Sequence, residues 1–293
     1  MAVADFSSEL QERGVQLEAL QDETVDWILG EKVVDFYDAA GGTAMGLAKA
    51  SLLVAAVSRL RPHFRFKVGF KALDVWRQRA PAVQALTLPR ELVAAMASLA
   101  VSGFGETGIG ACLMMCFFGL LRASEALTLR CKDLFDCGDH FVIRLGVAKR
   151  GLEQKAVISD RLAVQFLRSH LDWHGKALSG TSEDLVLDVS YSRLQRWMGK
   201  LAGLIGVPGH FTSHGLRRGG ATQLYASGTP VATIALLGRW LSERSLREYL
   251  RLGELSLLRL AQRADPLVHA RIRLLDIGAA SAFQVLSEAQ ASA

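Results

Sequence analysis

Apolar residues recur at helical spacing through Val25, Ile28, Leu29, Val33, Val34 and Phe36, and again from Met45 through Leu60, with Gly41 and Gly42 between the two runs. The pattern predicts two helices there. A third runs from about Gly69 to Arg79 and stops at Pro81. The following AVQALTLPRE reads as an extended linker, closed by Pro89 at the start of the next helix, which puts a domain boundary within 80–89. Beyond it, Arg90 to Val101 and Glu106 to Arg130 read as helices separated by a turn at Gly103 and Gly105. Strand alternation comes only once: Phe141 to Val147 alternates, Lys149 to Gly151 turns, and Lys155 to Ile158 starts a return strand. Helices resume at about 160–174, 190–206, 214–227, 230–240 and 244–251, and helical stretches follow at Glu254 to Arg263 and Leu267 to Leu275. The fold class predicted is mainly α with a small antiparallel β-hairpin or sheet (α+β).

Composition narrows this without changing it. Half of the 293 residues are hydrophobic, enough for two domains with separate cores. The longest apolar run, Ile109 to Leu121, falls short of a bilayer span and reads as a buried helix. The acidic opening MAVADFSSEL lacks the features of a secretory signal. The expectation is an intracellular protein with no membrane partner, in the nucleus if eukaryotic and in the cytoplasm or nucleoid if bacterial. Cys112, Cys116, Cys131 and Cys137 form no CxxC pair, so buried reduced thiols are expected rather than zinc or disulfides. His170 and His174 share a helical spacing, but Leu171 stands where a metalloprotease helix needs glutamate. Gly103 to Gly108 formally matches GxGxxG, yet a helix precedes it, so no dinucleotide site is read. No metal and no cofactor are expected.

Charge is distributed unevenly. Residues 1–42 hold ten acids and two bases, whereas residues 43–90 hold nine bases and one acid, Asp74. Lys49, Arg59, Arg61, Arg65, Lys67, Lys71, Arg77 and Arg79, interleaved with Phe64, Phe66, Phe70 and Trp76, are what a phosphate-binding surface requires. A solvated helical face is the plainer reading of the same stretch.

Four short segments carry candidate chemistry: GLLRASE at 119–125, AKRG at 148–151, HGLRRGG at 214–220, and GRW at 238–240 followed by REYL at 247–250. Together they closely resemble the tyrosine recombinase, or phage integrase, family over roughly residues 88–252. The family's arginine in LRxSE matches Arg122, its hairpin lysine Lys149, its HxLR His214 and Arg217, its histidine-or-tryptophan Trp240, and its nucleophile Tyr249. Arg217 to Trp240 is 23 positions and Trp240 to Tyr249 is nine, intervals typical of the family. HGLRRGGAT with GRW leans toward recombinases of eukaryotic mobile elements.

The residue types suit phosphoryl transfer. A phosphodiester under attack gathers negative charge on its non-bridging oxygens, and guanidinium forks such as those of Arg122 and Arg217 match it. A tyrosine is almost wholly neutral at pH 7, so Tyr249 needs cationic neighbours; the leaving 5'-oxygen needs a proton, a task the resemblance gives to Lys149. Arg150 and Lys155 lie on the same hairpin and stand as alternatives to it. Glu125 is expected to support the active-site helix. The resemblance implies a two-domain recombinase: a helical, DNA-clamping domain at 1–85, a catalytic domain at 86–265 and a helical tail at 266–293. It also implies double-stranded DNA as partner, a 3'-phosphotyrosyl intermediate without metal or ATP, and a homo-tetramer joined through the tail. A catalytically inactive DNA-binding protein and a type IB topoisomerase are the alternatives.

Overall fold

The computed structural model describes residues 2–292 apart from 13, 15, 40–43, 80–85, 148–152, 179, 208, 245, 248, 251–252, 255–256 and 258–264. The chain divides into two units, Met1–Gln84 and Ala85–Ala293.

In the first unit the apolar stripes become helices α2 (Asp22–Ala39), α3 (Ala44–Leu60) and α4 (Lys67–Arg79), preceded by α1 (Ala2–Glu12). Their inward positions form two buried clusters, one around Val25, Leu29, Leu53, Val57 and Phe66, the other around Val33, Val54, Leu73 and Trp76. Close approach of α2 to α4 depends on Gly30, where a Cβ would stand 2.6 Å from Cγ1 of Val68. The buried Asp26 of α2 accepts hydrogen bonds from the N–H groups of Val68 and Gly69, both at 2.9 Å, and so caps α4 from a neighbouring helix.

The second unit opens with α5 (Arg90–Phe104), α6 (Thr107–Phe118) and α7 (Ala123–Leu127). Ile109 through Phe117 of α6 are all buried, as an all-round apolar helix must be. The single helix expected over 106–130 is broken between Phe118 and Ala123. Gly119 lies against the Met115 carbonyl and Ile158, and Leu120 adopts φ 48°, so the chain turns sharply before α7. Strands β1 (Leu134–Asp136), β2 (Phe141–Val147) and β3 (Glu153–Ile158) then form an antiparallel sheet in the order β1-β2-β3, with Leu134 opposite Ile143 and Phe141 opposite Ile158. The short β1 is an addition to the predicted hairpin. Three residues are too few to show alternation in sequence.

Helices α8 (Arg161–Trp173) and α9 (Tyr191–Ile205) begin at Asp160 and Ser190, whose side chains accept the N–H of Ala163 and Arg193, and α9 ends at Gly206 with φ 92°. After α10 (Ser213–Ala226) and α11 (Val231–Gly238), the described residues of 243–250 are helical. Helices α12 (Pro266–Ile277) and α13 (Ala282–Ala291) return to α5, with Ala279, Ala282 and Leu286 buried in the main core. The fold is mainly helical with one small antiparallel sheet. Among the described residues no helix is long and apolar enough to cross a membrane.

Candidate active site

Three glycines decide where α10 lies. A Cβ on Gly215 would collide with the Leu86 carbonyl, one on Gly219 with that of Leu88, and one on Gly220 with that of Phe117. The absence of side chains in HGLRRGG therefore lets α10 sit directly on the linker end and on the end of α6. Arg217, on the same helix, is thereby brought beneath the break that follows α6.

Arg217 is 4% exposed. Its Nη1 donates to the Leu120 carbonyl at 2.9 Å, its Nη2 donates to the Gly238 carbonyl at 2.5 Å, and its guanidinium lies 4.4 Å from the Trp240 ring centroid. Burial, and then the nearby charges of Arg122 and Arg239, push its pKa down to about 10. It remains cationic at neutral pH.

Glu125 is the centre of the cationic cluster. Its Oε1 accepts from Arg122 Nη1 at 2.5 Å, and its Oε2 accepts from the Arg122 backbone N–H at 2.8 Å and from Arg239 Nη2 at 2.7 Å; Arg217 Nη1 stands 3.8 Å away. Burial alone would raise its pKa, but the Arg122 N–H and the Arg239 charge hold it below the usual carboxylate range. Arg122 sits at the N-cap of α7 with about half of its side chain exposed, the only one of the three guanidiniums turned substantially outward.

Tyr249 belongs to a small apolar cluster of its own, in which Leu120, Ala221, Ile234, Leu246 and Leu250 are buried and Trp240 packs alongside. Its ring centroid is 5.5 Å from that of Trp240, and the Arg218 guanidinium lies 4.9 Å from its ring. The phenol donates to the His214 carbonyl at 3.2 Å. Burial raises its pKa above the ordinary tyrosine value, while Arg217 and Arg218 oppose that rise. The imidazole of His214 is solvent-exposed in the first turn of α10.

The structure thus brings Arg122, Glu125, Arg217, Trp240 and Tyr249 into one connected group, with His214 beside the phenol. Lys149 and its alternative Arg150 lie outside the described residues; Lys155, the other alternative, is exposed on β3. Two members went unassigned from sequence. Arg218 and Arg239 carry no role in the sequence reading, although the doubled arginine of HGLRRGG and the arginine of GRW are visible signals. Of the basic positions in the first unit, Lys49, Arg59, Arg65, Lys67, Lys71, Arg77 and Arg79 are exposed. Arg61 turns inward instead. Its guanidinium donates to the Leu17 and Leu20 carbonyls and to Asp22 at 2.5–2.9 Å, so it ties the start of α2 to the end of α3. Among the described residues no group of three or more His, Cys, Asp or Glu is gathered as a metal site.

The phage integrase family model matches residues 91–254, more than half of the chain. The chain belongs to the phage integrase family, the tyrosine recombinases. The matched segment of this family member runs from α5 to just beyond Tyr249 and contains every candidate catalytic residue named above. No curated protein sequence matches the chain. Among solved structures it is similar to XerA recombinase, 18% identical over 90% of each chain with a TM-score of 0.48. It is similar to XerH site-specific recombinase bound to difH substrate in a pre-cleavage complex, 14% identical over 68% of this chain and 63% of that one, TM-score 0.47. A post-cleavage complex of XerH with a palindromic difH substrate is 13% identical over 89% of this chain and 76% of that one, TM-score 0.53, a likeness of fold.

Proposed function

We propose that this tyrosine recombinase family member cuts and rejoins DNA strands through a covalent link to Tyr249. The observation that carries the reading is the convergence of Arg122, Arg217, Trp240 and Tyr249 on one another from four separate stretches of sequence. A phosphodiester seated against Arg122 and Arg217 has its non-bridging oxygens facing two cations, and the Trp240 indole N–H is a third donor in the same group. The Tyr249 oxygen attacks phosphorus, the bond to the 5'-oxygen breaks, and a 3'-phosphotyrosyl ester and a 5'-hydroxyl result. The phenolic proton leaves with help from His214 and the local positive charge; the proton for the 5'-oxygen is assigned to Lys149. One phosphoester replaces another, so the energy of the bond is retained. A 5'-hydroxyl from a second duplex then reverses the step and completes exchange.

Double-stranded DNA as partner is supported by the family and by the exposed basic residues of α3 and α4. Assembly as a homo-tetramer through the C-terminal tail is supported by α12, whose outer face leaves Leu267, Leu274 and Ile277 72–79% exposed.

The test uses a random-sequence pool of duplexes with 5'-bridging phosphorothiolates, whose thiol leaving group re-attacks poorly, so that a covalent protein–DNA adduct accumulates on a denaturing gel. Wild type forms the adduct and Tyr249→Phe forms none. Arg122→Ala loses roughly 10²-fold or more in adduct rate while DNA binding persists, on the scale of one lost transition-state donor. Binding without any adduct in the wild type identifies a DNA-binding protein that does not cut. Relaxation of supercoils by a monomer identifies a topoisomerase.

A further inference from the structure

Among the described residues only two that are not glycine have positive φ, Leu120 at 48° and Arg239 at 59°, and they meet at a single atom. The Leu120 carbonyl accepts from Arg217 Nη1 at 2.9 Å and from Arg239 Nη2 at 3.2 Å. Arg239 closes α11 as its left-handed cap, a place that favours glycine or asparagine. Its side chain is 6% exposed and has a buried Nε with no hydrogen-bond partner among the described residues. A long cation held in a disfavoured backbone conformation and withdrawn from water is costly. What it gains is Glu125, at 2.7 Å.

We propose that Arg239 is a positioning residue for DNA cleavage that acts through Glu125. The inference rests on the function proposed above. Three guanidiniums surround one carboxylate, so the cluster carries a net charge of about +2 toward an arriving phosphate. Arg239 supplies the buried counter-charge to Glu125. With Arg239 in place, Glu125 can orient Arg122 through the backbone N–H and one oxygen without being wholly compensated by it, and Arg122 is available to phosphate. Without Arg239, Glu125 draws fully on Arg122 and Arg217, and the net charge that the two phosphate ligands offer falls to about +1. Arg239 also shares the Leu120 carbonyl with Arg217, so it helps to fix the turn on which Arg217 rests. The neighbouring residues serve this placement: a Cβ on Gly238 would collide with the Trp240 indole, so glycine there lets the chain fold back and bury Arg239.

The experiment is a double-mutant cycle on the single-turnover adduct rate, using a duplex recovered from the phosphorothiolate pool. Arg239→Gln slows adduct formation by about tenfold or more, the scale of one charge-assisted hydrogen bond, with DNA affinity changed less than about twofold. In an Glu125→Gln background the same substitution costs much less, because its partner is gone. Arg239→Lys retains part of the rate, since it keeps the charge but lacks the planar guanidinium fork. If Arg239→Gln does not fold, the cycle is run with Arg239→Lys. A folded Arg239→Gln that cleaves at the wild-type rate overturns the proposal, as does an equal loss with and without Glu125. These outcomes leave the wild-type adduct intact, so they separate from failure of the functional reading, in which wild type forms no adduct and both ideas fall.

Discussion

His170 shows how one residue couples burial to pH. It is 2% exposed; its Nε2 faces the Val186 carbonyl at 3.0 Å and its Nδ1 faces the Thr107 hydroxyl at 3.1 Å. The carbonyl can only accept, so Nε2 carries the hydrogen and Nδ1 accepts from Thr107, which leaves a neutral ring. Burial, with help from the nearby His174 and Lys176, lowers its pKa from 6.5 to about 4. The unfolded chain therefore binds this proton at higher pH than the folded one. Its contribution to stability is complete above about pH 6.5 and declines as pH falls toward 4, by about 2 kcal/mol between pH 7 and pH 5. Denaturant unfolding at the two pH values should show that decline in the wild type and a smaller one in His170→Gln; equal declines would remove His170 as its source. Of the histidine pair noted in sequence as a poor metal site, His170 is thus a packed, hydrogen-bonded core element, while His174 is exposed and meets the Thr107 hydroxyl at 2.9 Å.

At the scale of elements, the candidate active site depends on how closely α10 approaches α6. Gly220 faces the Phe117 carbonyl with no space for a methyl group, whereas Gly199 on the exposed face of α9 has nothing within 4 Å. Alanine should have opposite effects at these two helical positions. Gly220→Ala is expected to destabilise the second unit by about 2–3 kcal/mol through overpacking and to displace Arg217, while Gly199→Ala is expected to stabilise it by about 0.5–1 kcal/mol. Chemical denaturation measures both, and a neutral Gly220→Ala would show that α10 has room to move. The break after α6 has similar weight. Had residues 106–130 stayed helical, Arg122 would lie in a helix interior rather than at the N-cap where Glu125 meets both its backbone and its side chain.

At the scale of the whole molecule, each unit has its own core and is stabilised within itself. The segment after 265, read from sequence as a tail, has one side already in use: Ala279, Ala282 and Leu286 are buried, Val268, Ile272, Leu275 and Phe283 pack on the same core, and Arg90 pairs with Asp276 at 3.4 Å. Deleting 266–293 should therefore lower the unfolding free energy of the second unit by several kcal/mol, about the cost of exposing a few large apolar side chains. An unchanged melting temperature would mean that this packing contributes little. The tail's exposed leucines and isoleucine lie on the opposite face, so internal packing and contact with a neighbour are compatible.

Sequence by itself determined the helical class, the hairpin, the main helix ends at Asp160, Ser190 and Gly206, and the residue types gathered in the candidate site. These are legible because periodicity, capping and motif spacing are local properties of a chain. Tertiary structure alone decided that Arg61 points inward, that helix 106–130 breaks at Gly119 and Leu120, and that Arg239 and Arg218 join the site. Each of these depends on a partner far along the chain: Leu17 and Asp22 for Arg61, Ile158 for the break at Gly119, Glu125 for Arg239, Tyr249 for Arg218. A charged side chain is equally at home in solvent or against a distant carboxylate, and only the packing of the backbone around it determines which partner it finds.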